Sequence, residues 1–224
     1  MHRFQTIASD RIVLRTTPHR LTTWPLDQFL ARCETELDKL TEVFGASISC
    51  PVTVYLFAKC HDFGWIFGRQ SGGLALTACN SIVIAEENSP VELMRHELAH
   101  LFAAGISSRS PPLFQEGLAM WCQTTQKGLH VDDVATPLVY ATKYKLSSLL
   151  KPEFFFKELR RHHCYLLAGS FTSYLIRRYG WEAYRQFYRK SDSVFMHWQF
   201  KRRFGLSLEK AEKEWRRKVV FNDE

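Results

Sequence analysis

The sequence lacks several things, and each absence narrows what the chain can be. It has no long apolar run. Its longest uncharged stretch, Gln70 to Ala85, is interrupted by Ser, Gly, Thr and Asn and is too short and too polar to span a bilayer. Met1 to Arg20 is charged and has no apolar core of the signal-peptide kind. A cytoplasmic location is the expectation, and secretion would require that a leader had been removed. None of the six cysteines (Cys33, Cys50, Cys60, Cys79, Cys122, Cys164) forms a C-x-x-C pair, which argues against a structural zinc cluster. The even count permits disulfides, but without a secretion signal reduced thiols packed as small hydrophobes are expected. There is no internal repeat, no low-complexity segment and no Pro/Gly/Ser linker. The chain therefore reads as one unit over 1–224, with a sheet-containing lobe at 1–88 and a helical lobe at 89–224.

What is present is the composition of a globular protein: 46% hydrophobic and 24% charged residues over a chain of 224, enough to bury a sizeable core. With 17 Phe and 6 Trp, aromatic packing is expected to dominate that core. The net charge is +7, unevenly spread. Lys157 to Lys218 holds sixteen Lys/Arg against six Asp/Glu, a surplus of ten, and the rest of the chain stands at −3. Such a basic half can attract nucleic acid, anionic lipid or an acidic substrate. The charges sit at helical spacing between aromatics, which favours solvated faces of amphipathic helices, and nucleic acid is not the expected partner.

Hydropathy patterning predicts an α+β chain. Arg11–Arg15 has strand composition. Leu26 to Phe44 has apolar residues on one helical side, with Gly45 as its stop. Pro51–Phe57 is a β run, followed by a Gly-rich loop from His61 to Gly73. Leu74–Ala78 and Ser81–Ala85 then read as a hairpin turning at Cys79-Asn80. Beyond this, helices are predicted at Pro90–Ala104, Pro112–Gln126, His163–Tyr179, Trp181–Lys190 and Ser207–Val220, with shorter ones between.

The first of these later helices carries its own punctuation. Ser89 suits the N-cap, Pro90 the first helical position, Glu92 the capping box and Gly105 the C-terminal stop. Within it His96 and His100 are four residues apart and share a face, with Glu97 roughly 100° around. Two imidazoles at this spacing can share one zinc, and the adjacent carboxylate can reach water on the metal without ligating it. A catalytic zinc needs a third protein ligand. Glu116 supplies a candidate separated from His100 by fifteen residues, in the first turns of a helix opened by Pro111-Pro112. Gly117 and Ala119 beside it would permit close approach of the metal or of a neighbouring helix. An acid favourable near a helix N-terminus is the plain alternative for Glu116.

HELAH followed by QEGLA resembles a gluzincin, specifically the peptidase-MA-like family related to thermolysin and the zinc aminopeptidases. Tyr165–Gly180 resembles the helix that follows the metal helices in that family, and Phe204–Trp215 its closing helix. The similarity covers roughly Arg11 to Lys218, and only the metal motif is highly specific. The resemblance implies an N-terminal lobe with a small mixed sheet and a helix, a C-terminal helical lobe, and a zinc site in the cleft between them. It implies one Zn2+ per chain on His96, His100 and Glu116, and cleavage of a protein or peptide substrate by a Glu97-activated water on zinc. It points to Tyr165 as the donor to the oxyanion, with His162 and His163 as alternatives. It also places an edge strand beside the metal at Leu74, Ala75, Leu76, Thr77 and Ala78, where an extended peptide could add by backbone pairing. An ordinary buried strand is the plain reading of the same residues.

Two departures from the family stand out. Aminopeptidase relatives carry an acid near this strand to hold the substrate's amine, and GGLALTACN has none. Glu86 and Glu87 follow the next strand and suit the helix N-terminus after it. Where some relatives place an acid four residues after the third ligand to orient a histidine, this chain has Met120. A zinc hydrolase of other amides or esters, or a binding module on a peptidase fold using the basic helical half, are the alternative functions.

Overall fold

A computed structural model of the chain describes residues 4–17, 25–48, 51–62, 72–87, 89–192 and 194–221. Most of the predicted Gly-rich loop, residues 63–71, lies outside them. The chain divides into two compact units, Met1–Ala104 and Gly105–Glu224. The architecture is α+β, with a mixed sheet in the N-terminal part and a mostly helical C-terminal part.

The first unit holds β1 (Gln5–Ala8), β2 (Ile12–Thr16), α1 (Leu26–Phe44), β3 (Val52–Phe57), β4 (Gly73–Leu76) and β5 (Ser81–Ala85), and most of α2 (Pro90–Ile106). The sheet order is β1-β2-β3-β5-β4, with β2, β3 and β5 parallel and both flanking strands antiparallel to their neighbours. Strand β5 is buried along its whole length, as expected of a strand covered on both faces. On one face Phe57, Val83 and Ala85 cluster with Tyr55, Leu74 and Leu76. Helix α1 buries Phe29, Cys33, Leu37, Leu40 and Phe44 of the predicted apolar side, and leaves Leu30 and Val43 half-buried at its margins. It ends where Gly45 turns left-handed at φ 61° and donates its N–H to Thr41 O. Phe44 stacks on Phe102 of α2 at 5.1 Å between ring centres.

The hairpin differs in detail from its predicted form. Strand β4 stops at Leu76, and Thr77–Cys79 form a 3-10 turn rather than more strand. Asn80, left-handed at φ 48°, then reverses the chain into β5. Thr77 and Ala78 are consequently not part of the edge. Glu87 also departs from its expected service to the next helix: its carboxylate accepts the Cys60 N–H at 2.7 Å, and that bond holds it below the usual carboxylate range.

The second unit is built around α7 (Arg161–Tyr179), buried on all sides from Leu166 to Leu175. Packed on it are α3 (Pro112–Gln123), α4 (Val131–Ala141), α8 (Trp181–Lys190) and α10 (Leu208–Phe221), with α9 (Met196–Phe204) against α8. Short helices α5 (Leu146–Leu149) and α6 (Pro152–Phe155) connect α4 to α7. Aromatic rings fill this core as the composition implied: Phe187 meets Phe114 at 4.8 Å and Phe200 at 5.4 Å, and Trp215 meets Phe171 at 5.6 Å. The predicted helix from Pro112 to Gln126 ends early, at Gln123. Gln123 Nε2 donates to Thr125 O and Gln126 Oε1, and Thr125–Gln126 pairs with Leu129–His130 as the ribbon β6–β7. Lys127 and Gly128, both at positive φ, make its turn.

Candidate metal centre

Helix α2 forms where its caps and periodicity predict, with two differences. Ser89 stands just before it and its carbonyl accepts the Leu93 N–H, but its φ is 51°, outside the extended backbone usual for a serine cap. Gly105 does not stop the helix, which continues through it to Ile106. The polar run that follows ends it, Ser107 Oγ accepting the Arg109 N–H.

His96 and Glu97 are buried and His100 is half-buried, all on α2. The two imidazoles turn towards each other, Nε2 to Nε2 at 3.2 Å. Two ligands about 2.0–2.1 Å from a tetrahedral ion lie about 3.3 Å apart, so this spacing suits a shared zinc. Glu97 meets the sheet edge. A methyl group on Gly73, the first residue of β4, would stand 2.5 Å from Glu97 Oε1 and 2.9 Å from its Cγ. Only a residue without a side chain lets strand and carboxylate approach this closely. Of the predicted substrate strand, Leu74, Ala75 and Leu76 belong to β4, the outermost strand of the sheet.

The base of α2 is anchored by an ion pair that sequence reading did not find. Arg95, adjacent to His96, pairs with Glu36 of α1, which is 3% exposed and also receives Lys39 Nζ at 2.9 Å. Burial pushes the Glu36 carboxyl up, but hydrogen bonds from Arg95 and Lys39 outweigh it and hold the group below its usual range. Glu36 is 59 residues from Arg95, and nothing local in either segment signals the pairing.

In the second unit Glu116 is buried on α3, next to Gly117. A methyl group on Gly117 would meet Thr172 Oγ1 and, at 2.7 Å, the Ala168 carbonyl oxygen, both on α7. Gly169 plays the same part from α7 against Met120. Of the two close approaches that Gly117 could serve, the structure contains the helix–helix one. The charge of Glu116 also reaches the phenol of Tyr188 on α8, which burial first and this carboxylate further push up.

Tyr165 lies in the first turns of α7, half-buried, its ring 5.3 Å from that of Phe155 and packed beside the Met120–Val131–Ala135–Leu166 cluster. Of its two alternatives, His162 is exposed at its surface, and partial desolvation of its ring together with neighbouring His163 lowers its imidazole below the ordinary value. His163 has its Nδ1 buried with no hydrogen-bond partner and its ring 6.5 Å from that of Tyr144.

One ligand atom each from His96, His100 and Glu116 all lie within 4.8 Å of one another. Two imidazoles and a carboxylate are a donor set that suits zinc, and the burial of His96 and Glu116 makes a shared cation a natural partner for them. Among the described residues this is the cluster of three or more such groups able to hold a metal ion.

No protein-family model matches the chain, and no curated protein sequence matches it. Its fold does match solved structures. The M1 zinc metallopeptidase from Deinococcus radiodurans superposes with a TM-score of 0.55 at 15% identity over 95% of this chain. A glutamate-to-alanine mutant of the M1 zinc metallopeptidase from that organism gives 0.58 at 13% identity, again over 95%. The chain spans about half the length of each, 51%. At such identity the likeness is one of fold alone: this chain folds like the part of the M1 zinc metallopeptidase structures that it covers. Among the described residues no helix is long and apolar enough to cross a membrane.

Proposed function

We propose that the chain is a zinc-dependent hydrolase, and specifically a peptidase, with His96, His100 and Glu116 as metal ligands. The observation that carries this reading is the convergence of those three ligand atoms within 4.8 Å. Zinc bound there would supply a Lewis acid that acidifies water and polarises a scissile carbonyl. Glu97 takes a proton from the attacking water and passes it to the leaving amine. Its carboxylate fits against the start of β4 because Gly73 has no side chain there. Tyr165 donates its phenolic hydrogen to the oxyanion that forms. Leu74, Ala75 and Leu76 on the outermost strand offer backbone groups to an extended peptide, which aligns the scissile bond. In this reading the two compact units work as one metallopeptidase-like domain.

The test is metal content by mass spectrometry of the ions, followed by a peptide-library screen. The expected result is about one zinc per chain, absent in His96→Ala, with cleavage by the wild type and none by Glu97→Gln, which keeps its zinc. A wild-type chain that stays metal-free when zinc is offered would refute the ligand set. A zinc-loaded chain that hydrolyses esters or non-peptide amides and no peptide would move the assignment to the broader hydrolase class.

A further inference from the structure

The second unit presents an apolar tip ringed by cations, far in sequence from the metal ligands. Val194, Phe195 and Trp198 are 81%, 58% and 55% exposed. They sit where α8 gives way to α9. Helix α9 buries Met196, Phe200 and Phe204. Trp198 stands three residues after Phe195, and Lys201 and Arg202 three and four after Trp198, so they share a different, outward face. The Arg202 guanidinium lies over the Trp198 ring at 5.1 Å. Lys190, Arg202 and Arg203 line one shallow depression together with Gln186 and Gln199. Among the described residues no ion pair engages Lys190, Lys201 or Arg202. The acid nearest in sequence, Asp192, is turned to the backbone: its Oδ1 accepts the N–H groups of Val194 at 3.0 Å and Phe195 at 2.7 Å.

We propose that this face docks on an anionic lipid bilayer. Each part has a use there. Trp198, Phe195 and Val194 are the side chains that enter the boundary between headgroups and acyl chains. Asp192 satisfies the two backbone donors at the tip, which would otherwise lose water on entry. Lys190, Lys201, Arg202 and Arg203 meet phosphodiester headgroups, with the Gln199 amide as a further donor. Nucleic acid fits the same cations less well. Val194 has no ring on which a base can stack, and one face of Trp198 is already covered by Arg202. This placement is independent of the metal centre and shares no residue with it.

The test is sedimentation of the full chain with vesicles of phosphatidylcholine alone or mixed with an equal part of phosphatidylglycerol. Two variants accompany it: Lys190→Gln with Lys201→Gln and Arg202→Gln, and Phe195→Ser with Trp198→Ala. Thermal melts check that each is folded. The expected result is pelleting with the anionic vesicles and little with the neutral ones. The charge variant should lower partitioning about a hundredfold, at roughly fivefold per cation. The apolar variant should lower it about tenfold. Absence of pelleting, equal partitioning of wild type and variants, or loss in the charge variant alone would each overturn the proposal. Salt-sensitive binding to a labelled RNA without vesicle pelleting would overturn it in favour of nucleic acid.

Discussion

Gly73 opens strand β4 directly against the carboxylate of Glu97, so close that a single methyl group would fall 2.5 Å from its Oε1. Edge strand and proposed general base are thus coupled by contact. Gly73→Ala must displace the carboxylate or the strand. The expected outcome is a loss of peptide turnover of about a hundredfold, the scale of a 1 Å misplacement, with zinc content unchanged. Full turnover in Gly73→Ala would show that Glu97 is free to move without consequence.

Metal removal should be read in stability as well as activity. A ligand that binds the folded chain alone adds about 4 kcal/mol at a thousandfold excess over its Kd. For a chain of this size that raises Tm by about 10 °C. Chelation should therefore lower the melting temperature of the wild type and of Glu97→Gln and leave His96→Ala unmoved. A chelator effect of the same size in His96→Ala would place the stabilising metal elsewhere.

Tyr165→Phe separates a donor from a packing ring. The phenyl ring preserves the contact with Phe155, so the melting temperature should stay within a degree or so of wild type. If the hydroxyl stabilises the oxyanion, kcat falls about a hundredfold or more while KM barely changes. Unchanged kcat would reassign the role and direct attention to His162 and His163.

The Glu36–Arg95 pair predicts a pH dependence with a definite sign. The Glu36 carboxyl is held below its ordinary value in the folded chain. Its contribution is therefore fully present above the unfolded carboxylate range and disappears as pH falls through the lower, folded value. Denaturant titrations between neutral and strongly acid pH should show this loss in the wild type and a flatter profile in Glu36→Gln. At neutral pH that variant should be less stable by about 3 kcal/mol, because it strands Arg95 beside a buried neutral amide. An equal stability of the two at neutral pH would contradict this.

Much of the molecule was legible in short stretches of chain, for a common reason. Where a helix is set by periodicity and a local stop, the bounds came out as read: Leu26–Phe44 before Gly45, and Trp181–Lys190 after Gly180. The pairing of His96 with His100 was legible in the same way, since a four-residue step places two side chains on one face of any helix. Where neighbouring side chains compete for the backbone, the reading slipped. Thr77 and Ala78 left the strand for a 3-10 turn, and Gln123 drew the chain out of α3 into the β6–β7 ribbon.

Local sequence carries the elements and the chemistry each could offer: a capped helix with HELAH, a second helix with Glu116, and an apolar strand after two glycines. Which groups meet was decided by tertiary structure. Gly73 backs onto Glu97, Glu36 reaches Arg95 across 59 residues, and Gly117 seats α3 on α7. The difference is one of range. Periodicity, caps and turns act over a few residues and leave their mark in local sequence, whereas these meetings are set by the packing of buried faces, which depends on every side chain between them at once.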